Sequence, residues 1–201
     1  TLLSITLYFI SFTLSAQDIW SPLESMKIKS ISQTEISNDG KSIAYVVREP
    51  IMEGKKSEYL SQIWVTDIES KENIQYTFNQ KSSSSPKFSP DGKKIAFLSS
   101  RSGKNQVWIM NTLGGEARML TKEKKGVRSI KWSPEGKMIS FLKSDDDTED
   151  EIKSKENKTD VILVDRNFKY SHIYSYHLDE DTVTQVTSCL LYTSPSPRDC
   201  Q

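Results

Sequence analysis

The sequence predicts an all-β fold: a partial β-propeller of about three four-stranded antiparallel blades, preceded by a signal peptide and a short helix. A recurring hairpin signal is the first observation behind this. Ser89-Pro90-Asp91-Gly92 sits between Pro86-Lys87-Phe88 and the apolar run Ile95-Ala96-Phe97-Leu98. Pro90 presets φ for the second turn residue, Asp91 can bond back to the local backbone, and Gly92 takes the positive φ that closes a hairpin. The device returns as Ser37-Asn38-Asp39-Gly40 before Ile43-Ala44-Tyr45-Val46-Val47, and as Ser133-Pro134-Glu135-Gly136 before Met138-Ile139-Ser140-Phe141-Leu142. Such runs suit strands covered on both faces. The second observation is the period: the turn glycines lie 52 and 44 residues apart, the spacing of stacked repeats. The third is that each unit continues alike. A strand with an early aromatic follows in Gln62-Ile63-Trp64-Val65, Gln106-Val107-Trp108-Ile109 and His172-Ile173-Tyr174-Ser175. A closing strand then ends in Gln75-Tyr76-Thr77, Met119-Leu120-Thr121 and Gln185-Val186-Thr187. Four short strands per period of roughly 40–50 residues describe a propeller blade.

Composition bounds the function. The 201 residues are 35% hydrophobic, ordinary for a globular chain, and 27 basic residues balance 27 acidic ones. A formal net charge of zero gives no electrostatic reason to expect nucleic acid or an anionic membrane as partner.

Residues 1–16 are apolar and uncharged, with Ala16 at the expected cleavage point, and read as the hydrophobic part of a secretory signal peptide. The run is shorter than the ~20 residues of a membrane span, so no stable membrane anchor is expected. With no initiator Met and no basic leader, the start of the reading frame is expected upstream. Residues 17–30 form a lead-in in which Ser21-Pro22-Leu23-Glu24 combines an N-cap, a first-turn Pro and an acid three residues on, the signature of a helix start. The partial propeller is assigned to residues 31–187, with blades at about 31–78, 79–121 and 127–187. In the first blade Arg48 to Leu60 reads as a solvated loop, and Ser82-Ser83-Ser84-Ser85 as a joint between blades. The third blade carries an acidic insertion at 145–160, read as a mobile charged loop because the spacing and central Gly of a calcium loop are missing. Asp160-Val161-Ile162-Leu163-Val164-Asp165 resumes a strand-like pattern.

No catalytic, cofactor-binding or metal residue emerges from the motifs. His172 and His177 would point to opposite faces of a strand, His172 as a turn residue and His177 half exposed. Trp64, Trp108 and Trp132 are expected to fill the wedges between neighbouring blades. None of the eight glycines lies in a Gly-x-Ser-x-Gly elbow, and phosphate loops, His-Glu-x-x-His and paired-cysteine spacings are absent.

The stretch from Ser89 to Gly103, with Gln106-Val107-Trp108-Ile109-Met110-Asn111, Gly114-Gly115-Glu116 and Leu120-Thr121, resembles the blade repeat of TolB-type propellers. The order from Trp20 to Thr187 resembles the amino-terminal propeller of secreted peptidases of the prolyl oligopeptidase family, in its acylaminoacyl-peptidase and dipeptidyl-aminopeptidase-like branch. The capped lead-in, Ala44-Tyr45-Val46-Val47-Arg48-Glu49-Pro50 and Val161 to Tyr170 carry that resemblance. It implies a seven- or eight-bladed propeller that gates short peptides to a carboxy-terminal α/β-hydrolase domain with a Ser-Asp-His triad. That domain, the expected partner in cis, would lie outside these residues, so no catalytic residue is carried over. It also implies an exported, periplasmic or secreted protein without cofactors. The other class compatible with the repeats is a non-enzymatic periplasmic propeller that serves as a binding platform. Asn38 departs from the Pro of the other two turns. Residues 188–201, which hold both cysteines, Cys189 and Cys200, resemble the translation of a sequencing-library adaptor and are expected to be non-native.

Overall fold

The computed structural model describes residues 21–53, 56–157 and 169–188. Residues 1–16, expected as a signal peptide, Trp20, the strand-like pattern at 160–165 and residues 189–201 lie outside the described residues. After helix α1 (Pro22–Met26) the chain forms three four-stranded antiparallel sheets. Blade 1 is β1 (Ser30–Ile36), β2 (Ser42–Glu53), β3 (Lys56–Asp67) and β4 (Asn73–Gln75). Blade 2 is β5 (Ser83–Phe88), β6 (Lys94–Ser99), β7 (Gln106–Asn111) and β8 (Arg118–Met119). Blade 3 is β9 (Arg128–Trp132), β10 (Met138–Ser144), β11 (Ser171–His177) and β12 (Thr182–Gln185), with helix α2 (Glu149–Glu156) between β10 and β11. Each sheet is a meander whose strands pair in sequence order. The first strands stand side by side, β5 meeting both β1 and β9. Helix α1 starts as its sequence predicts: Ser21 is extended (φ −89°, ψ 154°) and its Oγ accepts from Glu24 N at 3.2 Å.

The three turns are copies of one another. In each, the glycine N–H donates to the serine C=O three residues back at 2.9–3.0 Å. Gly40, Gly92 and Gly136 have φ of 71°, 69° and 70°, the left-handed region that a side chain resists. Ser37 and Ser89 donate from Oγ to Asp39 and Asp91 Oδ1 at 2.6 Å, and each of these hydroxyl oxygens also accepts the N–H of the residue five positions on at 2.9 Å. Asn38 replaces proline without loss of the turn; its Nδ2 reaches the next blade and donates to Pro90 C=O at 2.9 Å.

Blade 2 is covered on both faces, as its unbroken apolar runs predict. Ile95, Phe97 and Met110 join Ala44, Val46, Ile63 and Val65 of blade 1 in one core. Ala96, Leu98, Val107 and Ile109 join Ile139, Phe141 and Tyr176 of blade 3 in the other. Period-2 alternation along β6 thus feeds two cores from one strand. The aromatic-bearing strands of blades 1 and 2 are each closed by a Gln/Thr lock. Thr121 Oγ1 donates to Gln106 Oε1 at 2.7 Å and accepts from Val107 N at 2.9 Å, while Gln106 Nε2 donates to Glu123 C=O at 2.8 Å. Thr77, Gln62, Ile63 and Asn79 repeat it in blade 1.

A second repeated device has no sequence signature. Gln33, Ser85 and Ser129 all have φ of 53°, and the register of each first strand slips at that point, between Ser32 and Glu35, between Ser84 and Lys87, and between Arg128 and Lys131. Each bulge lies seven residues before its turn glycine, so it belongs to the blade unit. Gln33 Oε1 accepts from Ser85 N at 2.7 Å and ties one bulge to the next. Ser83–Ser85, expected as a joint, are therefore the start of β5, with Ser83 buried and its Oγ bonded to Ser99 Oγ at 3.1 Å.

Candidate functional site

The blades have two rims, and the insertions share one of them. The Ser-x-acid-Gly turns join the first and second strands of every blade at one end, so the connections between second and third strands lie at the opposite end. In blade 2 that connection is the short Ser100 to Asn105 turn, closed by Gly103 N donating to Ser100 C=O at 2.9 Å. In blade 1 it is no solvated loop: β2 and β3 stay paired from Ser42↔Asp67 to Glu53↔Lys56, a ribbon that runs well beyond the blade. Pro50 fits because it pairs at the tail of the ribbon, away from the sheet centre. Arg48 lies over the Tyr59 ring at 3.9 Å, and Lys29 pairs with Glu49 at 2.7 Å.

Blade 3 corrects the sequence expectation in the same way. Within the acidic insertion Thr148-x-x-Glu151 forms a capping box, Glu151 Oε2 accepting from Thr148 N at 2.7 Å and Thr148 Oγ1 from Glu151 N at 3.3 Å, and α2 follows. Lys169 Nζ donates to Glu151 at 2.6 Å, and that bond holds the Glu151 carboxyl below its ordinary value. The three aspartates at the root each take a different base. Asp145 Oδ1 faces His172 Nε2 at 3.3 Å, Asp146 meets Lys143 at 3.2 Å, and Asp147 meets Lys125 at 2.7 Å. Lys143 also meets Glu123 at 2.6 Å; burial pushes its ammonium down, but the bonds to Glu123 and Asp146 outweigh this and leave it raised. The insertion is therefore clamped through its root to the loop that leaves blade 2.

His172 is not a turn residue. It lies in β11, 6% exposed, at the position that Gln62 and Gln106 hold in the other locks. Its Nδ1 is buried without a partner among the described residues. The repeat alignment with those two glutamines was the available signal. His177 is half-buried in the same strand, Nε2 at 3.0 Å from Thr184 Oγ1. The tryptophans divide. Trp108 packs in the core between blades 1 and 2 under Arg101, whose guanidinium lies 4.5 Å from the ring centroid. Trp132 packs between blades 2 and 3 and donates from Nε1 to Lys87 C=O at 2.9 Å. Trp64, paired with Tyr45, instead lies on the face of blade 1 turned away from blade 2.

Between blades 2 and 3 on the insertion rim lies a cleft of about 420 Å³ whose walls include Lys104, Lys125 and Arg128. Its floor is set by Gly126: at φ +77°, a Cβ there would stand 2.9 Å from Asn105 O, so only glycine lets the two loops touch, and Val127 N then donates to Asn105 C=O at 2.7 Å. On the turn rim a second cleft of about 500 Å³ is flanked by Trp132, Lys131 and the Glu35–Lys87 ion pair. Among the described residues no three His, Cys, Asp or Glu side chains gather to hold a metal ion, and no helix is long and apolar enough to cross a membrane.

Three consecutive four-stranded meanders, first strands abreast and faces packed on one another, define a sector of a β-propeller. Residues 51–167 match the family described as PD40, the TolB beta propeller domain. The match spans more than half of the chain, which belongs to that family. Over 76 residues it is 34% identical to the "Uncharacterized peptidase YuxL" of Bacillus subtilis (strain 168), a stretch covering 38% of this chain and 11% of that protein. The acylaminoacyl peptidase of Pyrococcus horikoshii superposes with a TM-score of 0.64 at 20% identity, covering 83% of this chain and 26% of that one. TolB from Acinetobacter baumannii superposes at 0.51 and 18% identity, with 77% and 32% covered. The chain thus spans a small part of the length of each relative, and its propeller is similar both to peptidase propellers and to TolB.

Proposed function

We propose that this chain is the propeller portion of an exported serine peptidase, in which it gates access of short peptides to an α/β-hydrolase domain. The observation that carries this reading is the 34% identity to a protein named as a peptidase, since the fold similarity alone is shared with TolB. Two further features support it. The apolar, uncharged residues 1–16 suit export, and the blade 1 ribbon and the blade 3 insertion stand on one rim, where long connections could screen what enters. No residue of this chain performs the bond cleavage in this reading. The test is hydrolysis of chromogenic aminoacyl- and peptidyl-anilides by the complete protein. Turnover abolished by a serine-directed phosphonate is expected; a complete protein that ends in propeller alone, with no Gly-x-Ser-x-Gly elbow, would reject it. In that event the second reading holds, a periplasmic TolB-like binding platform, which the family match itself favours.

A further inference from the structure

The chain has no net charge, yet the insertion rim sorts its charges unevenly. At the root of the insertion the acids face bases outside the cleft or at its edge: Asp145 faces His172, Asp146 and Glu123 meet Lys143, and Glu151 meets Lys169. Within the cleft, Lys104 and Arg128 meet no carboxylate among the described residues; Arg128 donates to the Ser171 hydroxyl. Lys125 is the exception, and its partner is informative. Asp147 places a carboxylate on it at 2.7 Å with both side chains largely covered, 28% and 22% exposed. The chain itself thus shows that a carboxylate can be received there. Beside these cations two apolar side chains, buried Val127 and half-buried Leu142, line the cleft together with Ser100, Asn105 and Ser144.

We propose that this cleft is a binding site for the free carboxylate of a peptide. Lys104 and Arg128 supply the charge-assisted hydrogen bonds, Val127 and Leu142 take the adjoining side chain, and Asp147 acts as an internal competitor for Lys125. Planar guanidinium and carboxylate groups match in a paired geometry, and contact with Val127 and Leu142 distinguishes such a ligand from a free inorganic anion. The site goes beyond the gating reading and stands whether or not the complete protein hydrolyses peptides, because its readout is binding.

The test is calorimetric titration of the complete protein with acetyl-Ala-Leu bearing a free carboxylate, with its carboxamide, and with inorganic phosphate. The free acid should bind saturably and the amide at least about tenfold more weakly, the loss expected for a charged hydrogen bond. Asp147→Asn should tighten the free acid several-fold by releasing Lys125. Lys104→Gln with Arg128→Gln should lower affinity by about tenfold or more, whereas Lys93→Gln on the opposite rim should leave it unchanged. Lys104 is an exposed turn residue, so Lys104→Gln alone remains informative if the double variant folds poorly; circular dichroism checks that. Equal binding of acid and amide, phosphate binding as tightly as the peptide, or indifference to Asp147→Asn would each overturn the proposal.

Discussion

Blades 1 and 2 carry the same residue pattern and differ in what covers it. Ile43, Tyr45, Trp64 and Thr66 of blade 1 occupy the places that Ile95, Phe97, Trp108 and Met110 hold in blade 2, and that Ile139, Phe141, Tyr174 and Tyr176 hold in blade 3. In blade 2 the set lies in a core, with Phe97 at 0% exposure, while all four residues of blade 1 remain half-buried. The same sequence register is therefore worth different amounts depending on a neighbour, because a blade face has no partner within its own blade. A repeat encodes a surface; the adjacent repeat turns it into a core.

The comparison is broken most directly by truncating one position in both blades. Phe97→Ala should cost about 3–5 kcal/mol through an unfilled cavity, and Tyr45→Ala about 1 kcal/mol in this chain, measured by chemical denaturation. Equal losses would mean that blade 1 is covered as well as blade 2. The Gln/Thr lock sharpens it next. Thr121→Val, at a position 1% exposed, strips Val107 N of its acceptor and Gln106 of a donor, for about 1–3 kcal/mol. Thr187→Val should cost less, since Thr187 is half-exposed and its blade has His172 where the others have glutamine. Below that come the glycines. Gly126→Ala meets Asn105 backbone at 2.9 Å as well as a positive φ, whereas Gly92 has nothing within 4 Å of a built Cβ. About 2 kcal/mol or more is expected for the first and about 1 for the second. A Gly92→Ala variant as damaging as Gly126→Ala would show that the turn, and not the contact, sets the scale.

What is legible in the sequence follows the same division. Turn chemistry and apolar runs are local, so the strands of blades 1–3 and the repeat are visible in Ser-Pro-Asp-Gly and its copies. The bulges at Gln33, Ser85 and Ser129 are not, because a left-handed φ at glutamine or serine is imposed by the register of the pairing strand and by no residue preference. The ribbon of β2 and β3 is hidden for a related reason. Pro50, Gly54 and the surrounding charges have the composition of a loop, while twelve-residue pairing depends on the partner strand. Helix α2 was open to inspection through Thr148-x-x-Glu151, but the acidic run around it suggests solvated chain. His172 shows the limit of reading positions singly: it is buried as Gln62 and Gln106 are at the same place in the other blades, and only alignment with those two points to it.

The smallest expected effect tests whether the turns act alike in blade 2, buried on both faces, and blade 1, buried on one. Ser37 and Ser89 donate to Asp39 and Asp91, and Lys41 N and Lys93 N add a second bond, which together hold both carboxyls below the ordinary 3.8. A carboxyl whose folded pKa is depressed stabilises the fold above its unfolded value and loses that contribution as pH falls through the folded one. Both turns are exposed, so the contribution is modest, and it should be fully present at neutral pH and fade below about pH 4. Melting temperature followed from pH 6 to pH 3 should therefore fall, and Asp91→Asn should remove part of the fall without abolishing it. Asp39 shares the device, while the Asp67, Glu151 and Asp181 carboxyls are also held low by hydrogen bonds. Asp39→Asn should remove a similar share, since the turn bonds are local and indifferent to whether the blade face behind them is covered. If Asp91→Asn changes the acid slope and Asp39→Asn does not, the turn of blade 1 depends on a neighbour too, and the division between local turns and shared cores fails.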